Sequence, residues 1–271
     1  MIRSLWSAAT GMIAQQTNVD TISNNLANVN TTGYKTEVAE FKSLLYQTMQ
    51  TKSTTANNTQ KPVSAQVGLG VRNSSITSVF KQGSFFESNS DSAFAISGKG
   101  FFAVRGADGN TYYTRNGNFT WSMGANGLTL TNSDGYPVLD SNGNGIVLSG
   151  EYTTSKITIT SDGTICYPDA SGNPQSMGIT IGVYQFQNPA GLEKNGSSLF
   201  SVTAASGAAI NESTNNNVEK STIVQGYLEG SNVQVVDEMV NLIVAQRAYE
   251  MNSKAIQASD EMLQQANSLR R

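Results

Sequence analysis

The sequence predicts an α+β fold. Long N- and C-terminal helices pair with each other as a coiled coil, and an antiparallel β-rich domain is inserted between them. Three observations carry this. The first and last segments repeat apolar residues every seven positions, and the middle is a series of short β-favouring runs cut by Asn-Gly and Asp-Gly turns. Neither terminal segment has a neighbour in sequence that could cover its apolar stripe.

In the first segment Leu5, Met12, Val19 and Leu26 step by seven. Ala8, Ile22 and Val29 fill the adjoining row, with Gln15 breaking it. This is one face of a helix of coiled-coil character, and at the helical rise residues 3–29 make a rod of about 40 Å. It closes in "NNLANVNTTGYK". Asn is a poor interior helix residue because its amide competes for nearby backbone groups. On helical spacing Asn24, Asn25 and Asn28 point away from the apolar face, and Gly33 supplies a turn residue tolerant of positive φ.

The last segment repeats the pattern on a larger scale. Val235, Leu242, Tyr249, Ile256 and Leu263 step by seven, and a second row runs Val240, Val244, Ala248, Met251, Ala255, Ala258, Met262. Together they make a wide apolar face over 234–269, about 50 Å long. A lone helix this apolar is unstable in water, so the two helices are expected to pack on each other. Two ordinary amphipathic helices covering a β core fit the periodicity equally well.

Between them lie "FAI", "FFAV", "TYYT", "FTW", "LTLT", "KITIT", "TICY", "ITIGVYQF" and "LFSV", punctuated by "ADGN", "RNGN", "ANGL", "SDGY", "NGNG" and "SDGT". Such dipeptides take the φ > 0 angles of tight hairpins, and short strands at this spacing suggest a sandwich or barrel. "QTMQTKSTTANNTQKPVSAQVGLG" (47–70) is polar and aperiodic, an extended arm or linker. The expected organisation is therefore terminal helices at 1–30 and 232–271, an arm at 31–75 and a β-rich body at 76–231.

Composition narrows the function. Of 271 residues only 14% are charged, with net charge −3 and no basic cluster of the kind nucleic acid demands. There is no His, and Cys166 is the single cysteine, so neither a zinc cluster nor a Cys–His pair is available. The N-terminus lacks a continuous apolar stretch and a cleavage site, so a cleaved signal peptide is not expected. "DSNGNGIVLSGE" (140–151) matches a calcium-loop pattern at Asp140, Asn142, Asn144, Gly145 and Glu151, but it lacks flanking helices and reads better as a hairpin turn. "SGKGFF" lacks the spacing of a phosphate loop. Acids are scattered rather than paired. No enzyme, cofactor, metal or small-molecule substrate is expected.

With helices at both ends, two motifs become specific. "SNNLANVNTTGYK" (23–35) closely resembles the signature of bacterial flagellar rod and hook proteins, and "GYLEGSNVQVVDEMVNLIVAQRAYEMNSKAIQASDEMLQ" (226–264) is similar to the same family's closing helix. "QGSFFESNSDSAFAISGKGFFAV" and "YYTRNGNFTW" look like its shared β core. Within the family the opening segment resembles the distal rod branch most. "GYPVLDSNGNGIVL" and "DEMLQQANSLRR" lean toward the proximal rod, and hook proteins are usually longer.

The resemblance implies an axial structural subunit of the basal body that transmits torque from motor to hook. It would pass through the flagellar export apparatus without a cleaved signal and polymerise into a tube spanning the periplasm. Its partners would be itself, other rod and hook subunits, and the ring proteins around the rod. Assembly would rest on Leu5, Met12, Val19, Ile22, Leu26, Val29, Leu242, Tyr249, Ile256 and Leu263, with Asn24, Asn25, Leu26, Asn28, Gly33 and Tyr34 as the family motif. A β-rich surface adhesin shares the Asn/Thr-rich middle but has no use for long apolar helices at both ends.

Overall fold

A computed structural model describes residues 2–50, 65–124, 127–150, 152–169, 172–215 and 217–268. The chain is α+β, with an N-terminal helix, a β-rich middle and a C-terminal helix. It divides into two compact units. One comprises Met1–Ala27, Glu37–Ser78 and Gln234–Arg271; the other comprises Asn28–Thr36 and Val79–Val233.

In the helical unit, α1 spans Ile2–Ala27 and α2 spans Val235–Ser268. Helix α1 stops two residues earlier than the seven-residue pattern suggests, and Val29 lies in the turn that follows. The helices run antiparallel and touch closely. Ser4 Oγ lies 3.2 Å from Ser259 Oγ, and a Cβ added to Gly11 would stand 2.8 Å from Asn252 Nδ2. Glycine at position 11 therefore permits the close approach of the two helices.

The seam on α2 is not the apolar row that the sequence suggests. Its inward positions step by seven through Glu238, Ala245, Asn252 and Ser259, with Leu242 and Ile256 alongside at intermediate burial. The second row faces outward instead: Val240 is 54% exposed, Val244 61%, Met251 65% and Met262 48%. The physical reason is distance. Small and amide side chains let backbones come close, whereas a Val/Met row would hold them apart. On α1, Ala8, Ala14, Thr21, Ile22 and Asn25 are buried, while Trp6 and Ile13 lie on the far side.

Two strand pairs complete this unit. Glu37–Ser43 pairs with Val71–Ser78, and Tyr46–Gln50 pairs with Ala65–Gly68, both antiparallel. The ends of the expected aperiodic arm are thus paired strands. Polar sequences can form a ladder because the backbone supplies its hydrogen bonds. The middle of that arm, 51–64, lies outside the described residues.

In the β unit the largest sheet has six strands, all antiparallel to their neighbours. In order they are Glu193–Lys194, Leu199–Ser201, Thr111–Thr114, Phe101–Arg105, Val183–Gln185 and Ile210–Asn211. Phe101–Val104 is buried on both faces. Phe102 and Val104 enter one cluster with Phe94, Phe119 and Leu130, while Phe101 and Ala103 enter another with Tyr113, Phe186 and Phe200. Alternate residues point to opposite sides, so "FFAV" must be apolar throughout.

The Asp-Gly turns behave as expected, with Gly109 at φ +78° and Gly163 at φ +82°. "RNGN" does not make such a turn. Gly117 is required by proximity, since a Cβ there would sit 1.6 Å from the Phe94 carbonyl oxygen. The candidate calcium loop is turn geometry: Asp140 Oδ1 accepts the N–H of Asn142 at 2.9 Å and of Asn144 at 2.7 Å. Glu151 lies outside the described residues.

Burial pushes the Tyr113 phenol from 10.0 up to about 12. A raised folded pKa means the unfolded chain ionises first, so this tyrosine's contribution to stability is lost as pH rises from about 10 towards 12. Spectrophotometric titration is expected to find Tyr113 ionising towards pH 12, with denaturant midpoints falling over the same interval.

Candidate functional site

The family motif folds into two separate constructions. In the helical unit Asn25 is buried rather than turned outward, at 1% exposure. Its Nδ2 donates to the Glu37 carbonyl at 2.8 Å, and its Oδ1 accepts the Glu37 N–H at 2.8 Å. The amide thus imitates one ladder position and starts the strand after the turn, which corrects the outward orientation expected from spacing. Asn24 is exposed, and Asn28 and Tyr34 are half-buried. Asn25→Ala leaves both backbone groups unsatisfied, so it is expected to cost about 1–3 kcal/mol in chemical denaturation.

In the β unit the remainder of the motif meets the stretch just before α2. Gly33, at φ +70°, donates its N–H to the Glu229 carbonyl at 2.8 Å. A Cβ there would lie 2.6 Å from the Asn116 nitrogen, so both angle and space require glycine. Lys35 Nζ reaches Glu229 Oε1 at 2.5 Å and also donates to the Lys81 carbonyl at 2.9 Å. Arg115 donates to Glu229 Oε2 at 3.2 Å and to the Gly98 carbonyl at 2.6 Å. Gly83 N–H donates to Glu229 Oε1 at 2.9 Å. Thr36, through both its N–H and its hydroxyl, donates to Asn232 Oδ1 at 2.7 Å, and Asn232 Nδ2 donates to the carbonyls of Val79 and Lys81.

All three charged groups are buried, with side chains no more than 2% exposed. Burial lowers the Lys35 pKa although the Glu229 carboxylate pulls the other way, and the same opposition acts on Arg115. Asn28–Thr36 follows α1 in sequence and Glu229–Val233 leads into α2. Within the β unit these two stretches are therefore fastened to each other.

This is a fastening, not a catalytic centre. One acid holds two cations here, each with a backbone carbonyl as a further acceptor, and among the described residues no group of acids, cysteines or histidines could hold a metal. Reasoning from sequence found Gly33 but missed Glu229, Arg115 and Asn232. Each is a single polar residue at the edge of a strand or turn, and only the fold brings them together.

The other sequence-derived positions are distributed along the helix pair. Leu5, Met12, Val19, Leu26, Leu242 and Ile256 are half-buried, and Ile22 is buried. Tyr249 is 44% exposed and Leu263 37%. Val19 and Tyr249 line a shared cavity with Gln16, Gln246 and Glu250.

Three family profiles match in chain order. Flagella basal body rod protein covers residues 5–35, the flagellar hook protein FlgE/F/G D1 domain 95–167, and the flagellar basal body rod FlgEFG protein C-terminal region 224–269. The buried cluster takes one residue from each: Lys35, Arg115 and Glu229. Full-length similarity decides the branch. The flagellar basal-body rod protein FlgG of Borreliella burgdorferi is 45% identical, with 100% of both chains covered. FlgG of Bacillus subtilis is 38% identical, again over 100% of both chains. The chain belongs to the FlgG family. A flagellar hook-basal body complex protein of Bacillus subtilis, FlhP, is 35% identical over the full length of both chains. As a FlgG-family member the chain is a structural subunit of the distal rod in the flagellar basal body, not an enzyme. It polymerises with itself and with other rod and hook subunits.

Proposed function

We propose that the paired helices of this FlgG-family chain form the inner tube of a periplasm-spanning rod as a coiled coil, and that the β-rich residues 76–231 form its outer wall. The helical segments at 1–30 and 232–271 make the polymer seam. Within the arm at 31–75, residues 46–66 tie neighbouring subunits together, and the assembled shaft transmits torque from motor to hook. Subunits reach the tip through the flagellar export apparatus without a cleaved signal, and the outer wall faces the surrounding ring proteins.

The observation that supports this reading is the outward face of α2. Val236, Val240, Ile243, Val244 and Met251 are each more than half exposed on a helix whose opposite side already packs on α1. An apolar strip of that length is costly in water and marks an interaction surface. Cryo-EM of the polymer tests it. The expected map has α2 of each subunit against helices of its neighbours along the bore. A map with the β unit lining the bore and the helices facing solvent would overturn the reading.

A further inference from the structure

We propose that the Phe85–Phe86–Glu87 ribbon of one copy seats in an aromatic, basic pocket on the β unit of a second copy. The proposal rests on the self-assembly described above. The pocket has a volume of about 560 Å³, within the range of ligand-sized sites. Phe80, Phe101 and Phe186 supply much of its wall, Ile210 and Val218 add to it, and Lys99 and Arg115 are its cations. Phe101 is wholly buried, and the Arg115 guanidinium stands 5.1 Å from its ring centroid. Arg115 Nε is buried without a hydrogen-bond partner. The acids acting on Arg115 are Glu229 and Glu212. Glu212 is occupied by the Gln185 amide at 2.8 Å and by the Ser221 N–H and hydroxyl at 2.6 and 2.9 Å. The pocket thus offers an aromatic floor beside a buried cation with one donor unspent, and a second cation, the exposed Lys99.

The same unit displays the complementary shape elsewhere. Phe85–Glu87 pairs only with Tyr227–Glu229 in a two-stranded ribbon, so its other edge is open among the described residues. Phe85 is 38% exposed, Phe86 is 44% exposed, and Glu87 is exposed. Alternate strand residues share a face, so the Phe85 ring and the Glu87 carboxylate project together, roughly 7 Å apart. A ring for the phenylalanine wall and an acid for the two cations make a match in both shape and charge. Two consecutive exposed phenylalanines on an unpaired edge are a liability unless something covers them.

The occupant is a second copy because ribbon and pocket belong to one folded unit and do not meet in it: Phe85 is not among the pocket's lining residues. Two different patches that fit each other across copies make a head-to-tail contact. Such a contact propagates an open helical polymer, whereas a self-matching patch would close a dimer.

Two measurements test this. Phe85 is replaced by the photo-cross-linker p-benzoylphenylalanine in full-length chain, and assembled polymers are irradiated. Cross-links are expected between subunits, at Gln187–Pro189 or Asn217–Val218. Cross-links confined to other sites would overturn the proposal while leaving assembly intact. On unassembled full-length protein, a peptide spanning residues 82–90 is expected to bind by calorimetry. Affinity should fall on the order of tenfold when the peptide carries Glu87→Gln or the protein carries Lys99→Glu. Absence of peptide binding, or binding indifferent to both changes, would sink the idea even if polymers fail to form for another reason.

Discussion

Glu229→Ala is expected to cost about 3–5 kcal/mol of stability, the largest loss from any single truncation in the β unit. The carboxylate is fully buried and is the shared partner of two cations, Lys35 and Arg115, neither of which has another acid within bonding distance. Removing it leaves one ammonium and one guanidinium out of water with only the carbonyls of Lys81 and Gly98 as acceptors. It also frees the Gly83 N–H. Glu229→Gln keeps the shape and an oxygen for Gly83 but loses the charge, so it falls between wild type and Ala. Lys35→Met is milder than either, because Arg115 and Glu229 remain paired. Urea denaturation of the three variants checks the order Ala > Gln > Met in destabilisation. A Glu229→Ala loss below about 1 kcal/mol would mean that water reaches the cluster and that it is not a fastening.

The sequence disclosed the elements better than their contacts. Seven-residue spacing was enough to find both helices, because burial of a stripe needs that period whatever the partner is. It could not say which row meets which. On α2 the seam follows neither apolar row but the step Glu238, Ala245, Asn252, Ser259, which suits the close backbone approach at Gly11, a property of the pair rather than of either helix. Asn25 misled for a related reason. Helical spacing turns it away from the apolar stripe, yet a buried amide is stable when its hydrogen bonds are made, and the partner, Glu37 backbone, lies beyond a turn. The charged cluster was illegible. Lys35, Arg115 and Glu229 are separated by 80 and 114 positions, and nothing local marks any of them as buried. By contrast Gly33 was readable, because a left-handed angle is a local demand that few residues meet.

Val244→Asp is expected to abolish polymerisation while leaving the folded subunit almost unchanged, a separation that few substitutions achieve. In the isolated chain Val244 is 61% exposed on the flank of α2, about 100° round the helix from the seam residue Ala245. There a carboxylate stays hydrated, and surface changes of this kind move stability by only about 0.5 kcal/mol. In the polymer packing proposed above the same position is covered by a neighbour's helix, so each subunit would bury an unpaired acid at a cost of several kcal/mol. Every 1.4 kcal/mol raises the concentration needed for assembly about tenfold, so the shift is expected to exceed about 100-fold. Ile256→Asp makes the contrast. Ile256 is half-buried on the inward side, so its replacement loosens the α1–α2 pair in the subunit itself as well as the polymer. Far-UV circular dichroism with thermal melting, beside sedimentation of assembled material, reads both properties on the same samples. Val244→Asp should melt like wild type and stay in the supernatant, and Ile256→Asp should melt early. If Val244→Asp pellets at the wild-type concentration, the outward row of α2 is not the surface on which the rod is built.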